Sequence, residues 1–308
     1  MKKISGRWRL GITLASIAAL MWAILPVILQ ILLETVDFQT ITLFRYFLPA
    51  IILTPYLFLN GTFNNLSEKL TSKHVIILIT SGVLLAGNYG FYILGLEKTS
   101  ADSAQVMIQL APISLLLAGI YIFKEPFSKS QWLGFVFFAI GLVLFFYHRI
   151  THHLADLGTY GAGLSIVSIS ALCFTGYAIT LKYLLKTFTA QETMMIFYWI
   201  GSILFLPFSD LPGLLSLNKF ELLLLLFCGI NTLITYSCFS EAFAHVEMSR
   251  VSAVVATTPL MTIGLVQLVA PLSNLNAEPI TLLSLCGAAL VVTGSITTTI
   301  AKRPPMSN

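Results

Sequence analysis

Residues 125–141 read Glu-Pro-Phe-Ser-Lys-Ser-Gln-Trp-Leu-Gly-Phe-Val-Phe-Phe-Ala-Ile-Gly, and residues 278–294 read Glu-Pro-Ile-Thr-Leu-Leu-Ser-Leu-Cys-Gly-Ala-Ala-Leu-Val-Val-Thr-Gly. In each, an acid-proline pair is followed by a glycine nine residues after the acid and a second glycine seven residues later. Upstream of these stretches, Pro55, Gly82 and Pro112 recur in order as Pro207, Gly229 and Pro259. The offset is 152 residues at Pro55, 147 at Gly82 and Pro112, and 153 at the Glu-Pro pairs. The chain therefore reads as a duplication, with halves at 1–150 and 151–308.

Composition decides the environment of both copies. Apolar residues make up 57% of the chain and charged residues 10%, with a mean hydropathy of +0.89. A soluble domain of this length carries far more charge on its surface. Between polar breaks the apolar runs are about 20 residues long, enough for a helix to cross a hydrocarbon core. They are read at about 10–32, 38–59, 75–95, 103–122, 131–148, 160–185, 191–208, 220–242, 250–270 and 280–300. The expectation is an all-α integral membrane protein of ten transmembrane helices, five to each half.

Basic residues set the orientation. With a cytoplasmic N-terminus, the inner segments hold Lys2, Lys3, Arg7, Arg9, Lys69, Lys73, Lys124, Lys129, Lys182, Lys186, Arg250, Lys302 and Arg303. The outer segments hold only Lys98, Arg149 and Lys219. That asymmetry follows the positive-inside rule and predicts two cytoplasmic termini. Residues 1–32 are accordingly expected to be an uncleaved first helix rather than a removed leader. Five spans per half would invert the second copy relative to the first. Inverted repeats are the architecture of carriers that alternate access around a midplane site.

Other classes find less support. The net charge of +4 is dispersed among short loops, so no nucleic-acid surface is expected. Cys173, Cys228, Cys238 and Cys286 lie singly inside apolar runs and offer neither a disulfide framework nor a zinc site. His148, His152 and His153 are supported only by Asp156 and read as a solvated linker, so no metal or cofactor is expected. Glycines seven apart, and Gly82, Ala86 and Gly90 at four-residue steps, form stripes that serve helix packing or a homodimer contact alike.

The stretches Phe44-Arg45-Tyr46-Phe47, Leu110-Ala111-Pro112, Lys124-Glu125-Pro126-Phe127-Ser128 and Gln131-Trp132-Leu133-Gly134 through Gly141 resemble the drug/metabolite transporter superfamily, and within it the ten-helix EamA-type carriers. The resemblance implies two inverted five-helix repeats around a central cavity. It places helices one, three, four, six, eight and nine at the cavity, with five and ten packed outside. It also implies transport of amino acids, nucleotide-sugar-like solutes, drugs or other metabolites without ATP hydrolysis, and the chain carries no Gly-Lys-Ser or Gly-Lys-Thr phosphate loop. The second half departs from the pattern. About six extra residues precede its Glu-Pro, and Phe197 stands where the first half has Arg45.

Polar and aromatic groups within apolar runs are functional candidates because hydrocarbon penalises them. For the cavity these are Trp22, Asn88, Tyr89, Tyr92, Gln105, Gln109, Tyr177, Thr235, Tyr236, Ser252 and Thr258. Asn88 and Tyr92, like Gln105 and Gln109, are four residues apart and so share a helix face. Each of these candidates serves equally as packing. Arg45, Pro112, Pro259 and Lys182 are expected to have gating or structural roles. Arg45 has three readings: an interior group, a group snorkelling to the outer interface, or a substrate contact. Pro112 and Pro259 remove backbone donors, which frees the carbonyls of Ile108 and Val255 for a neighbour or a solute. Glu241 reads as an interface anchor or, if burial raises its pKa toward neutrality, as the candidate for proton coupling. The expected function is secondary transport of a small organic metabolite, an amino acid or a related solute, with export as one direction. A membrane-embedded enzyme, or a scaffold or channel that carries nothing, is the alternative. The enzyme reading lacks any Gly-x-Ser-x-Gly, His-Glu-x-x-His or paired intramembrane aspartate.

Overall fold

Helices begin in this chain where a short polar side chain can take the free amides of a first turn. Asp37 accepts from the Thr40 amide at 2.8 Å, and Thr71 from the His74 amide at 3.3 Å. Thr189 and Glu192 form a reciprocal capping box, and so do Asn218 with Glu221 and Ser128 with Gln131. Each such cap is worth about 1 kcal/mol, and together they fix where the polar connections end and the apolar helices start.

The structure, a computed structural model, describes residues 7–61, 66–121, 128–152, 157–245, 251, 254–272 and 280–300. The first half contains α1 (Trp8–Leu32), α2 (Phe38–Leu59), a single turn α3 (Leu66–Lys69), α4 (Ser72–Glu97), α5 (Ala101–Met107), α6 (Leu110–Tyr121) and α7 (Lys129–His152). The second contains α8 (Leu157–Leu184), α9 (Ala190–Phe205), α10 (Lys219–His245), α11 (Thr258–Val269) and α12 (Leu282–Ile300). Among the described residues there is no strand. Among the described residues six helical stretches are long and apolar enough to cross a membrane: 8–32, 38–59, 72–97, 129–147, 158–181 and 219–239. Shorter apolar helices cover 258–269 and 282–297. Two runs expected as continuous spans are interrupted, 103–122 between α5 and α6, and 250–270 just before α11.

Outward faces are apolar. On α7, Trp132, Leu133, Val136, Ile140, Val143 and Tyr147 are exposed, while Gln131, Gly134, Phe138, Gly141 and Phe145 on the opposite side are buried. Apolar exposure along a whole helix suits lipid and is unfavourable in water. The buried side of α7 lies on α12. A β-carbon on Gly141 would sit 2.6 Å from the Val291 amide nitrogen, and one on Gly294 2.6 Å from the Gly134 carbonyl. These glycines bring two backbones into contact, and any larger side chain would push the helices apart.

The same economy holds for the stripe Gly82-Ala86-Gly90. It packs within the chain, Gly82 against Ile200 and Gly90 against Phe205 of α9. Gly229 meets Leu48 in the same way. Gly82 and Gly229 are matched by the sequence repeat, and so are Leu48 and Ile200. Whole helices pair correspondingly. Packing of α4 on α8 has its counterpart in α10 on α1, α6 on α8 in α11 on α1, and α4 on α9 in α10 on α2. The pairs α2–α9 and α7–α12 each join a helix to its own counterpart.

Candidate functional site

Proline decides where the broken helices break. Pro112 has no amide to give the Ile108 carbonyl, and the chain turns at Ile108–Gln109, where that carbonyl accepts from the Ala111 amide at 2.9 Å. The second half turns at Ala256–Thr257, three and two residues before Pro259. There the Val255 carbonyl takes the Thr258 hydroxyl, and Thr257 Oγ1 bonds back to the Val254 carbonyl at 2.7 Å. Pro259 sits in the first turn of α11, where its missing donor is tolerated. Of the two expected uses, a neighbour or a solute, both freed carbonyls have a neighbour as partner. The two breaks touch, because Gln109 Nε2 donates to the Ala256 carbonyl at 3.1 Å.

Beside the breaks lies a cluster of tyrosines around one cation. Tyr46 of α2 and Tyr198 of α9 occupy repeat-matched positions, with ring centroids 6.2 Å apart. Tyr89 of α4 and Tyr236 of α10 are likewise matched and also 6.2 Å apart. Tyr46 and Tyr89 stack at 4.9 Å. Trp22 of α1 meets Tyr236 edge-on at 5.9 Å and Phe239 at 5.1 Å. Aromatic pairs of this kind contribute about 0.5–1.5 kcal/mol each beyond area burial.

Arg45 enters this cluster from α2. It is 4% exposed, its guanidinium lies 4.4 Å over the Tyr89 ring, and its Nε donates to Thr232 Oγ1 at 3.3 Å. The side chain therefore points inward, and the snorkelling reading is set aside. A cation over a desolvated ring gains about 2 kcal/mol. A buried charge without a counter-ion loses several kcal/mol, and a guanidinium keeps its proton in proteins. Among the described residues no carboxylate lies within ion-pair distance of Arg45.

The remaining candidates divide between this region and packing seams. Tyr92 is half-buried and donates to Gln105 Oε1 at 2.8 Å, joining α4 to α5 next to the break. Asn88 is in a seam: its amide donates to the Ser170 carbonyl at 3.0 Å and to Ser170 Oγ at 2.9 Å, tying α4 to α8. Thr235 supports a similar tie, donating to Asn231 Oδ1 at 3.3 Å while Asn231 donates to the Met21 carbonyl at 2.9 Å. Tyr177 packs on Phe174 and Phe197, each at 5.8 Å, with its hydroxyl toward Met194 Sδ. Glu241 has a side chain 63% exposed, 3.2 Å from His245. Ser252 and the side chains of Pro112 and Lys182 lie outside the described residues.

Several polar contacts escaped the sequence reading. Thr262 of α11 donates to the Ala23 carbonyl at 3.1 Å, so α1 is held from the second half by Thr262 and Asn231 together. Lys69 and Glu192 form a 2.7 Å ion pair that joins the short turn after α2 to the start of α9. Tyr46 and Tyr198 were findable, since the 152-residue offset that pairs Pro55 with Pro207 also pairs these tyrosines.

Known proteins agree with this geometry. The chain is 29% identical over 308 residues to the "uncharacterized inner membrane transporter YhbE" of Escherichia coli (strain K12), covering 98% of this chain and 94% of that one. It is 30% identical over 297 residues to an "uncharacterized transporter" of Haemophilus influenzae, covering 96% of each. "Protein RarD" of Salmonella typhimurium is 25% identical over 253 residues, covering 78% of this chain and 80% of that one. A solved crystal structure matches the fold with a TM-score of 0.62 at 15% identity, over 94% of this chain and 97% of the other. The profile of the EamA-like transporter family matches residues 9–147 and again residues 161–300. Matched over nearly its whole length, the chain belongs to the EamA-like transporter family.

Proposed function

We propose that the chain is a secondary carrier of a small organic metabolite, an amino acid or a related solute, working by alternating access in the inner membrane with both termini cytoplasmic. The observation that carries the reading is the meeting of two interrupted helices at Gln109 and Ala256. Carriers of inverted-repeat design bind at the midplane, where discontinuous helices from the two repeats face each other. On this reading the ten spans form two five-helix bundles of opposite orientation, related by a pseudo-twofold axis in the membrane plane. The exchange of helix pairs between halves, the two separate matches to one family profile and the transporter names of the relatives support it.

Rocking of one bundle against the other would expose the tyrosine cluster to one side at a time. The contacts that change would be those between halves, including the Gln109–Ala256 bond and the Lys69–Glu192 pair. The test is flux in sealed vesicles with membrane potential and proton gradient set independently. A saturable flux of a chemically unchanged solute is expected, weakened in Gln109→Ala and Tyr92→Ala proteins that still insert. Chemical conversion of the solute, or conductance without saturation, would replace the carrier reading with an enzyme or a channel.

A further inference from the structure

We infer that Arg45 recognises the carboxylate of the transported solute, and that the cargo is a related solute rather than an amino acid, namely an organic monoanion with an aromatic or apolar body; this rests on the carrier reading above. Among the described residues Arg45 is the one cationic side chain in the buried interior. Of its five N–H donors, the one on Nε is used, by Thr232. The two terminal nitrogens form no hydrogen bond to a described residue, and the planar fork they present fits two carboxylate oxygens. The hydroxyl of Tyr46, the next residue, is also buried without a partner. The Tyr89 hydroxyl is buried too, directed at Tyr236 but short of hydrogen-bond geometry. A cation and the unengaged Tyr46 hydroxyl therefore belong to one cluster where the two halves meet.

The repeat supplies a control for the alternative that Arg45 only props up the fold. Phe197 takes the matched place in the second half, is fully buried, and packs on Tyr177. The scaffold is thus satisfied by an apolar ring at this position, so the charge in the first half answers another need. Chemistry also narrows the ligand. A phosphate dianion calls for more than one cation, and among the described residues none joins Arg45 inside. An ammonium would want a carboxylate, but the buried Asp102 accepts from Ser100 and the buried Glu192 is held by Lys69. Trp22 and Tyr236 supply aromatic surface for the body of the solute.

Thermal stabilisation and isothermal titration of the purified full chain test this with matched series: hexanoate, hexanamide and hexylamine, then 3-phenylpropionate, 3-phenylpropanamide and 3-phenylpropylamine. Carboxylates are expected to bind, the phenyl member more tightly than the alkyl one, with amides and amines at least about 30-fold weaker. Arg45→Gln should weaken the carboxylates by about 30-fold or more, and Arg45→Lys by less. Equal binding of an amide or amine, unchanged carboxylate binding in Arg45→Gln, or a series in which no carboxylate binds would overturn the inference. Should Arg45→Gln fail to accumulate, the wild-type series still decides, with Thr232→Val expected to weaken carboxylates several-fold. The carrier reading is judged separately by whether cysteines placed near Gln109 change accessibility from one side of the membrane to the other. A protein that passes that test and fails this one is a carrier of some other solute.

Discussion

The two halves use the same frame and fill it with different chemistry. Gly82 packs on Ile200 as Gly229 packs on Leu48, and Gly141 and Gly287 bring α7 and α12 into backbone contact. Among the positions facing inward, Tyr46 and Tyr89 recur as Tyr198 and Tyr236, but at three others the likeness stops. Arg45 is matched by Phe197, Gln109 by Ala256, and Tyr92 by Phe239. In each pair the first half holds the polar group and the second an apolar one. Small residues are kept where helices must touch, because no other side chain fits. At these three positions the polar residue, which costs free energy in hydrocarbon, is kept in one copy alone, so the symmetric frame does not require it.

The strongest way to break this comparison is to exchange bulk between matched positions. Phe197→Ala should destabilise the protein by about 3–4 kcal/mol through the cavity it leaves. Arg45→Met should leave stability unchanged or raise it, since it removes an unpaired buried charge of similar volume. Denaturation in micelles measures both, and an Arg45→Met loss as large as that of Phe197→Ala would make the arginine structural. Next in size, the matched substitutions Gly141→Leu and Gly294→Leu should each cost about 3 kcal/mol by overpacking. A large gap between those two would mean that the α7–α12 contact is not shared equally by the halves.

Smaller changes sharpen the account of the breaks. Gln109→Ala removes the donor to the Ala256 carbonyl and should cost about 1 kcal/mol in stability. Its effect on flux should exceed what that loss explains, whereas a flux in proportion to folded protein would make Gln109 a packing residue. The smallest effect belongs to the partly exposed Lys69–Glu192 pair, where Lys69→Met should cost at most about 1 kcal/mol.

Much of the frame was legible before any coordinates. The Glu-Pro and glycine landmarks carried the duplication, and the glycines seven apart proved to be the α7–α12 contact. Helical character followed from apolar length alone. The break at Gln109 was only half legible: Pro112 marked the place, but whether a proline kinks a helix or interrupts it depends on which neighbour takes the freed carbonyl. Site residues fared unevenly for a similar reason. Asn88 and Gln109 are both amides in apolar helices, yet Asn88 is consumed by Ser170 across a tight seam and Gln109 bridges two turns. Spacing on one helix cannot distinguish these, because the partner lies on another helix. For Glu241, distance along the chain from a helix end does not reveal the exposed face it occupies, so anchoring and burial read alike. Arg45 stood out by type alone, and its inward direction came only with Thr232 and Tyr89.

Opposed orientation of the two halves is the claim on which carriage depends, and single-cysteine labelling from each side of the membrane measures it. With Cys173, Cys228, Cys238 and Cys286 replaced, cysteines at Ser128 and Thr281, which precede matched helices α7 and α12, would be probed with an impermeant thiol reagent. The account predicts that Ser128→Cys reacts only from the cytoplasmic side and Thr281→Cys only from the outside. Reaction of both from one side would contradict it.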